Sequence, residues 1–153
     1  MTRKTRPVSW VMAALKEFET FPEGAQSICL TALTIAAEGE IEGDVAMKRE
    51  RLDVTRGSGN VFRDLGHQNA DIEQFKAILA AEIIKALDRE GLSVRGAHGR
   101  TGIAAADFSR IRNADLGRFT VDRLMSIINR LGSRVEVKVR VRRAEAVEHG
   151  ATA

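Results

Sequence analysis

The stretch Ala70 to Glu90 constrains the fold of this 153-residue chain more than any other. Ile72, Phe75, Ile78, Leu79, Ile83, Ala86 and Leu87 recur there at helical spacing, and Gly91 stands where such a helix stops. That stripe is core. A chain of this length builds one core of ordinary size or two very small ones. Hydrophobic residues make up 44% and charged residues 29%, as in a soluble globular protein. Aromatics are only 5% with no tyrosine, so the core is one of helices packed through aliphatic side chains.

Shorter helical segments follow from Ser93 to Thr101, from Ala104 to Asn113 and from Thr120 to Leu131, broken by Gly102, by 114–117 and by Gly132. Upstream, Ser9 is placed to cap a helix to about Thr20 that carries Trp10, Ala13, Ala14 and Phe18. Pro22 interrupts it, and a second helix with Ile28, Leu30, Leu33, Ile35 and Ala36 runs to Gly39. This hairpin of about 30 residues is too small to bury a core alone. Between the halves, Gly39 to Gly59 has many charges, four glycines and little apolar periodicity, which reads as a linker with a boundary near Ala46 and Met47. The expected organisation is a helical hairpin at 1–46, a linker or N-terminal arm at 47–69, a helical domain at 70–143 and a disordered tail at 144–153.

The last regular element has a different period. Val135, Val137, Val139 and Val141 alternate with Glu136, Lys138, Arg140 and Arg142, the pattern of a half-buried strand. A lone strand leaves its backbone groups unpaired. The expectation is antiparallel pairing with the same strand of a second copy across a twofold axis, and the alternative is pairing with 52–55 of the same chain.

Charge and cysteine usage narrow the function classes. The net charge is +3, and its distribution is uneven. The hairpin region carries Glu17, Glu19, Glu23, Glu38, Glu40, Glu42 and Asp44, whereas 134–143 holds five bases against Glu136. A basic C-terminal half permits nucleic-acid contact. The single Cys29, in an apolar run, reads as a small buried hydrophobe and fits a reducing compartment. No apolar run reaches the roughly 18 residues of a membrane span, and no signal peptide is legible, so a cytoplasmic protein with no membrane contact is expected. His67, His98 and His149 lack partners at metal-ligand spacing, and the glycines at 56–60 lack a Walker lysine. No metal, cofactor or catalytic residue is expected, and the chain is not read as an enzyme.

The chemistry lies around Gly102. In a helix-turn-helix, a tight turn places a second helix in the DNA major groove, and glycine followed by a buried aliphatic residue suits that turn. Gly102 and Ile103 fit it. In the next helix Ile103, Phe108 and Ile111 fall inward, while Ala105, Ala106, Asp107, Ser109 and Arg110 point outward. Taken alone, Ser109, Arg110 and Arg112 suit any polar helix face; the preceding turn shifts them toward DNA. Arg110 can donate to guanine or phosphate and Ser109 to phosphate, while Ala105 and Ala106 can meet thymine methyls. Asp107 fits if it accepts from cytosine or pairs with Arg110 or Arg100. With Arg100, Arg112 and Asn113 these form the candidate DNA-binding set.

Through Gly102-Ile103 and Phe108-Ser109-Arg110-Ile111 the sequence resembles the XRE (Cro/repressor-like) helix-turn-helix family. The stretches 55–66 and 117–125 and the valine strand make 47–143 similar to its HigA-type antitoxins. The first motif helix departs from the pattern: Val94, His98 and Thr101 stand where glutamine, alanine and leucine are usual, and Gly96 and Gly99 weaken it. Over 7–45, Val8-Ser9-Trp10, Phe21-Pro22-Glu23, Ala32-Leu33 and Ala36 to Glu40 resemble the start of HigB-type toxins of the RelE/ParE superfamily, without the catalytic sheet that follows there. The resemblance implies a mainly α, lambda-repressor-like domain with one C-terminal β-strand, behind a hairpin left from a truncated toxin. It implies an antitoxin-like repressor of a type II toxin-antitoxin system that binds a palindromic operator in double-stranded DNA as a homodimer, with a HigB-type toxin as a second partner. The alternative is an interaction protein that holds such a toxin with little or no DNA binding. A ribonuclease is the least favoured class.

Overall fold

The computed structural model describes residues 7–38 and 54–141. The boundary near Ala46 and Met47, the stop at Gly39 and the tail at 144–153 lie outside those residues. In chain order the elements are β1 (Ser9–Val11), α1 (Met12–Phe18), α2 (Glu23–Glu38), β2 (Val54–Arg56), α3 (Val61–Asp64), α4 (Ala70–Arg89), α5 (Val94–Thr101), α6 (Ala105–Arg112) and α7 (Val121–Arg130). The fold is mainly helical, and α4 is its axis, with α2, α3, α6 and α7 all packed on it.

One core cluster surrounds the C-terminal half of α4. Leu79, Ile83 and Leu87 meet Ala97 of α5, Phe108 and Ile111 of α6, and Leu124 and Ile127 of α7. All are buried, and fully burying a Leu, Ile or Phe side chain stabilises by about 1.5–3 kcal/mol. The second cluster sits toward the N-terminal half of α4, where Ala77 meets Phe18, Leu30, Val61 and Phe62. Trp10 and the half-buried Cys29 pack against it, and the Trp10 and Phe18 rings lie 5.2 Å apart.

The N-terminal helices therefore lie on the rest of the protein. Small residues allow this: α4 offers Ala77, Ala80 and Ala81, and α2 buries Leu30, Thr31 and Thr34. The Thr34 hydroxyl is satisfied by donating to the Leu30 carbonyl at 2.9 Å. Lys85 Nζ of α4 donates to the Glu38 carbonyl at 2.7 Å, which places a cation at the C-terminal end of the α2 dipole.

Three expectations are corrected. Ser9 does not cap a helix. It opens β1, which pairs antiparallel with β2 in the register Ser9 to Arg56, Trp10 to Thr55 and Val11 to Val54, and α1 begins only at Met12. Part of the expected linker or arm is regular: β2 leads into Gly57, whose N–H donates to Val8 O at 3.0 Å, and Asn60 then caps α3 by accepting from Phe62 and Arg63 N–H. A Cβ at Gly57 would come within 2.7 Å of the Val8 carbonyl oxygen, so only glycine allows this approach. Finally, the alternative of pairing within the chain is not met: of 52–55 only Val54 and Thr55 are described, they pair with Val11 and Trp10, and 133–141 forms no strand in the single chain. Val135 packs against the main cluster, but beyond it the segment has no partner strand among the described residues.

Candidate nucleic-acid interface

The expected turn lies between α5 and α6. Ser93 caps α5, accepting from Gly96 N–H at 3.1 Å. Gly102 ends it in the left-handed region at φ +72°, donating its N–H to His98 O at 2.8 Å. Ile103, buried, then plugs the turn as the glycine-aliphatic pair predicts.

His98 and Thr101, the residues that depart from the family pattern, fasten this turn. His98 Nδ1–H donates to Ile103 O at 2.8 Å. The Thr101 hydroxyl donates to Ala97 O at 2.7 Å and accepts from Ile103 N–H at 3.2 Å. From α7, Arg130 Nη1 donates to Thr101 O at 3.2 Å. Polar groups that a leucine would leave to solvent are thus paired within the motif.

Helix α6 presents the face read from the sequence. Phe108 and Ile111 are fully buried; Ala106, Ser109, Arg112 and Asn113 are exposed; Ala105, Asp107 and Arg110 are half-buried. The structure sorts the charged members of the predicted set into two groups. Arg100 is paired with Glu90, and Arg112 Nη2 lies 2.8 Å from Asp88 Oδ1, both acids at the C-terminal end of α4. Such exposed pairs contribute about 0–1 kcal/mol, weak enough to exchange for a phosphate.

Asp107 and Arg110 belong instead to a cleft of about 210 Å³ between α6 and α7, lined also by Arg118, Phe119 and Arg123. Arg118 and Arg123 were not among the predicted site residues. They stand outside the motif, and it is the Thr120 cap of α7, whose hydroxyl accepts from Arg123 N–H at 3.1 Å, that fixes where α7 begins beside α6. The signal for them is the Arg118-Phe119-Thr120 sequence, an apolar anchor and a helix cap between two bases.

Among the described residues no helix is long and apolar enough to cross a membrane. Comparison with curated proteins and with solved structures returned no match. A family model described as a helix-turn-helix domain matches residues 61–140, which is more than half of the chain and runs from α3 past α7. Since α5, the Gly102 turn and α6 all fall inside that match, this chain belongs to the helix-turn-helix domain family, a fold of DNA-binding regulators.

Proposed function

We propose that the protein is a cytoplasmic, XRE-type transcriptional repressor that lays α6 in the major groove of its operator, with the character of an antitoxin. The observation that carries this is the division of α6: Phe108 and Ile111 lock it to the core, while Ala106, Ser109, Arg112 and Asn113 remain outward behind a fastened turn. Arg110 and Ser109 would hold phosphate or guanine, and Ala105 and Ala106 would meet thymine methyls. Residues 7–45, with no catalytic sheet after them in the sequence, are read as the remnant of a HigB-type toxin.

The proposed active form is a homodimer, supported by the exposure of Val137, Val139 and Val141 at 50%, 78% and 91%. Antiparallel pairing of two 135–141 segments would cover these valines and satisfy their backbone. It would set two α6 helices for palindromic half-sites roughly 34–36 Å apart. A gel-shift series on the DNA upstream of the protein's own reading frame tests the repressor reading. Binding should weaken with salt and with Arg110→Ala. Absence of binding at low salt sinks it.

A second reading, an interaction protein that holds a toxin, is favoured by the pairing of Arg112 with Asp88 of α4 and of Arg100 with Glu90 just after it, which lowers the charge offered to DNA. Capture of a purified HigB-type toxin by a chain with no DNA affinity would select it.

A further inference from the structure

The cleft between α6 and α7 has a carboxylate in its lining, an odd group on a face meant for phosphates. Asp107 lies in the first turn of α6, with its side chain 23% exposed, and each of its oxygens faces a different arginine. Oδ1 lies 3.6 Å from Arg110 Nη1, one turn further along α6. Oδ2 lies 3.1 Å from Arg123 Nη2, in the first turn of α7. Arg118 lines the same cleft and makes no hydrogen bond or ion pair among the described residues. Three guanidinium groups against one carboxylate leave an excess of positive charge around a space of about 210 Å³.

A phosphodiester group suits that space, having one negative charge and two free oxygens for the donor forks of arginine. Long arginine side chains normally lose rotamer freedom on binding, a cost that falls when they are held in place beforehand. Resting on the DNA-binding reading above, we propose that Asp107 is a positioning residue, holding Arg110 and Arg123 on two sides of the cleft so that, with Arg118, they close on one backbone phosphate of duplex DNA. The contact is to the backbone, so it adds affinity for any duplex and sets the register in which α6 meets the bases.

The sign of one substitution separates this role from simple repulsion. Asp107→Asn removes a negative charge from the DNA-facing side, so a merely repulsive carboxylate predicts tighter binding to every duplex. A positioning carboxylate predicts weaker binding, by roughly threefold to tenfold, with partial rescue in Asp107→Glu. The experiment is anisotropy of the full chain with the upstream duplex and a scrambled duplex of equal length, across a salt series. Arg118→Gln and Arg123→Gln should weaken both duplexes alike and each flatten the slope of log K against log salt by about 1, while Arg89→Gln, on α4, leaves it unchanged. Thermal midpoints identify folding damage, and Arg118, which has no partner to lose among the described residues, decides if Arg123→Gln proves unstable. Wild-type slopes in the Arg118 variant, or tighter binding by Asp107→Asn, overturn the proposal. If the wild-type chain binds neither duplex, the repressor reading fails by itself. The cleft is then decided by titrating pyrophosphate against the Nε–Hε NMR signals of Arg110, Arg118 and Arg123: shifts lost in Asp107→Asn keep the positioning role, and their absence in the wild type ends it.

Discussion

The turn at Gly102 and the segment 133–141 carry equally regular sequence patterns, yet only one closes within the chain. Around Gly102 the bonds of His98 and Thr101 are made inside the motif, Arg130 adds one from α7, and the aliphatic residue after the glycine is buried. In 133–141 only Val135 is packed, and the next three valines face outward. A glycine-aliphatic turn needs neighbours a few residues away, whereas a period-2 run needs a second edge that the described residues do not offer. The first pattern specifies a structure within the chain; the second leaves Val137, Val139 and Val141 exposed in it.

Truncation of side chains sharpens that contrast most strongly. Phe108→Ala, on the motif side, should destabilise by about 3–5 kcal/mol in urea unfolding, since the ring is fully buried among α4 and α7 residues. Next in size is Thr101→Val, which keeps shape but leaves the Ile103 N–H without its acceptor and should cost about 1–3 kcal/mol. If that variant unfolds like wild type, the turn is not held by its side-chain bonds. A smaller effect of opposite sign is expected at Gly99, in mid-α5, where an added Cβ meets nothing within 4 Å. Gly99→Ala should stabilise by about 0.5–1 kcal/mol, visible as a raised melting temperature. On the segment side, Val139→Ser should change the stability of a dilute, monomeric sample by less than about 0.5 kcal/mol. Val137→Pro, which removes a ladder donor, should shift sedimentation toward monomer and weaken DNA binding. An unaltered dimer in the proline variant would mean that the segment is not the interface.

Legibility followed the same division. The bounds of α4, α5, α6 and α7 lie within a residue or two of those read from apolar spacing, caps and glycine stops, because these signals act within one or two turns. The inward row Ile103, Phe108 and Ile111 was legible for the same reason. Ser9 misled because a serine before an apolar run also suits a strand, and the residues that decide, Val54 to Arg56, lie more than 40 positions away. Arg118 and Arg123 escaped notice because a cleft between two helices follows from their packing, while a motif describes one helix and the turn before it. His98 and Thr101 looked like defects when compared with a pattern. Their bonds across the turn follow from how α5 and α6 meet at Gly102, which no single-residue pattern encodes.

The β1 to β2 pairing also bears on how the chain is made. β1 leaves the ribosome before β2 exists, and closing a loop of that length costs entropy that only a few ladder bonds and the second core cluster repay. During synthesis the cluster of Trp10, Phe18 and Leu30 must therefore wait, incompletely covered, until Val61, Phe62 and Ala77 have emerged. The helix-turn-helix half, whose contacts are nearer in sequence, can assemble without them. In refolding, amide protection in α4 should precede protection of Trp10 and Thr55, and the N-terminal segment should dock last, as the slowest event of a chain whose first residues are finished by its later ones.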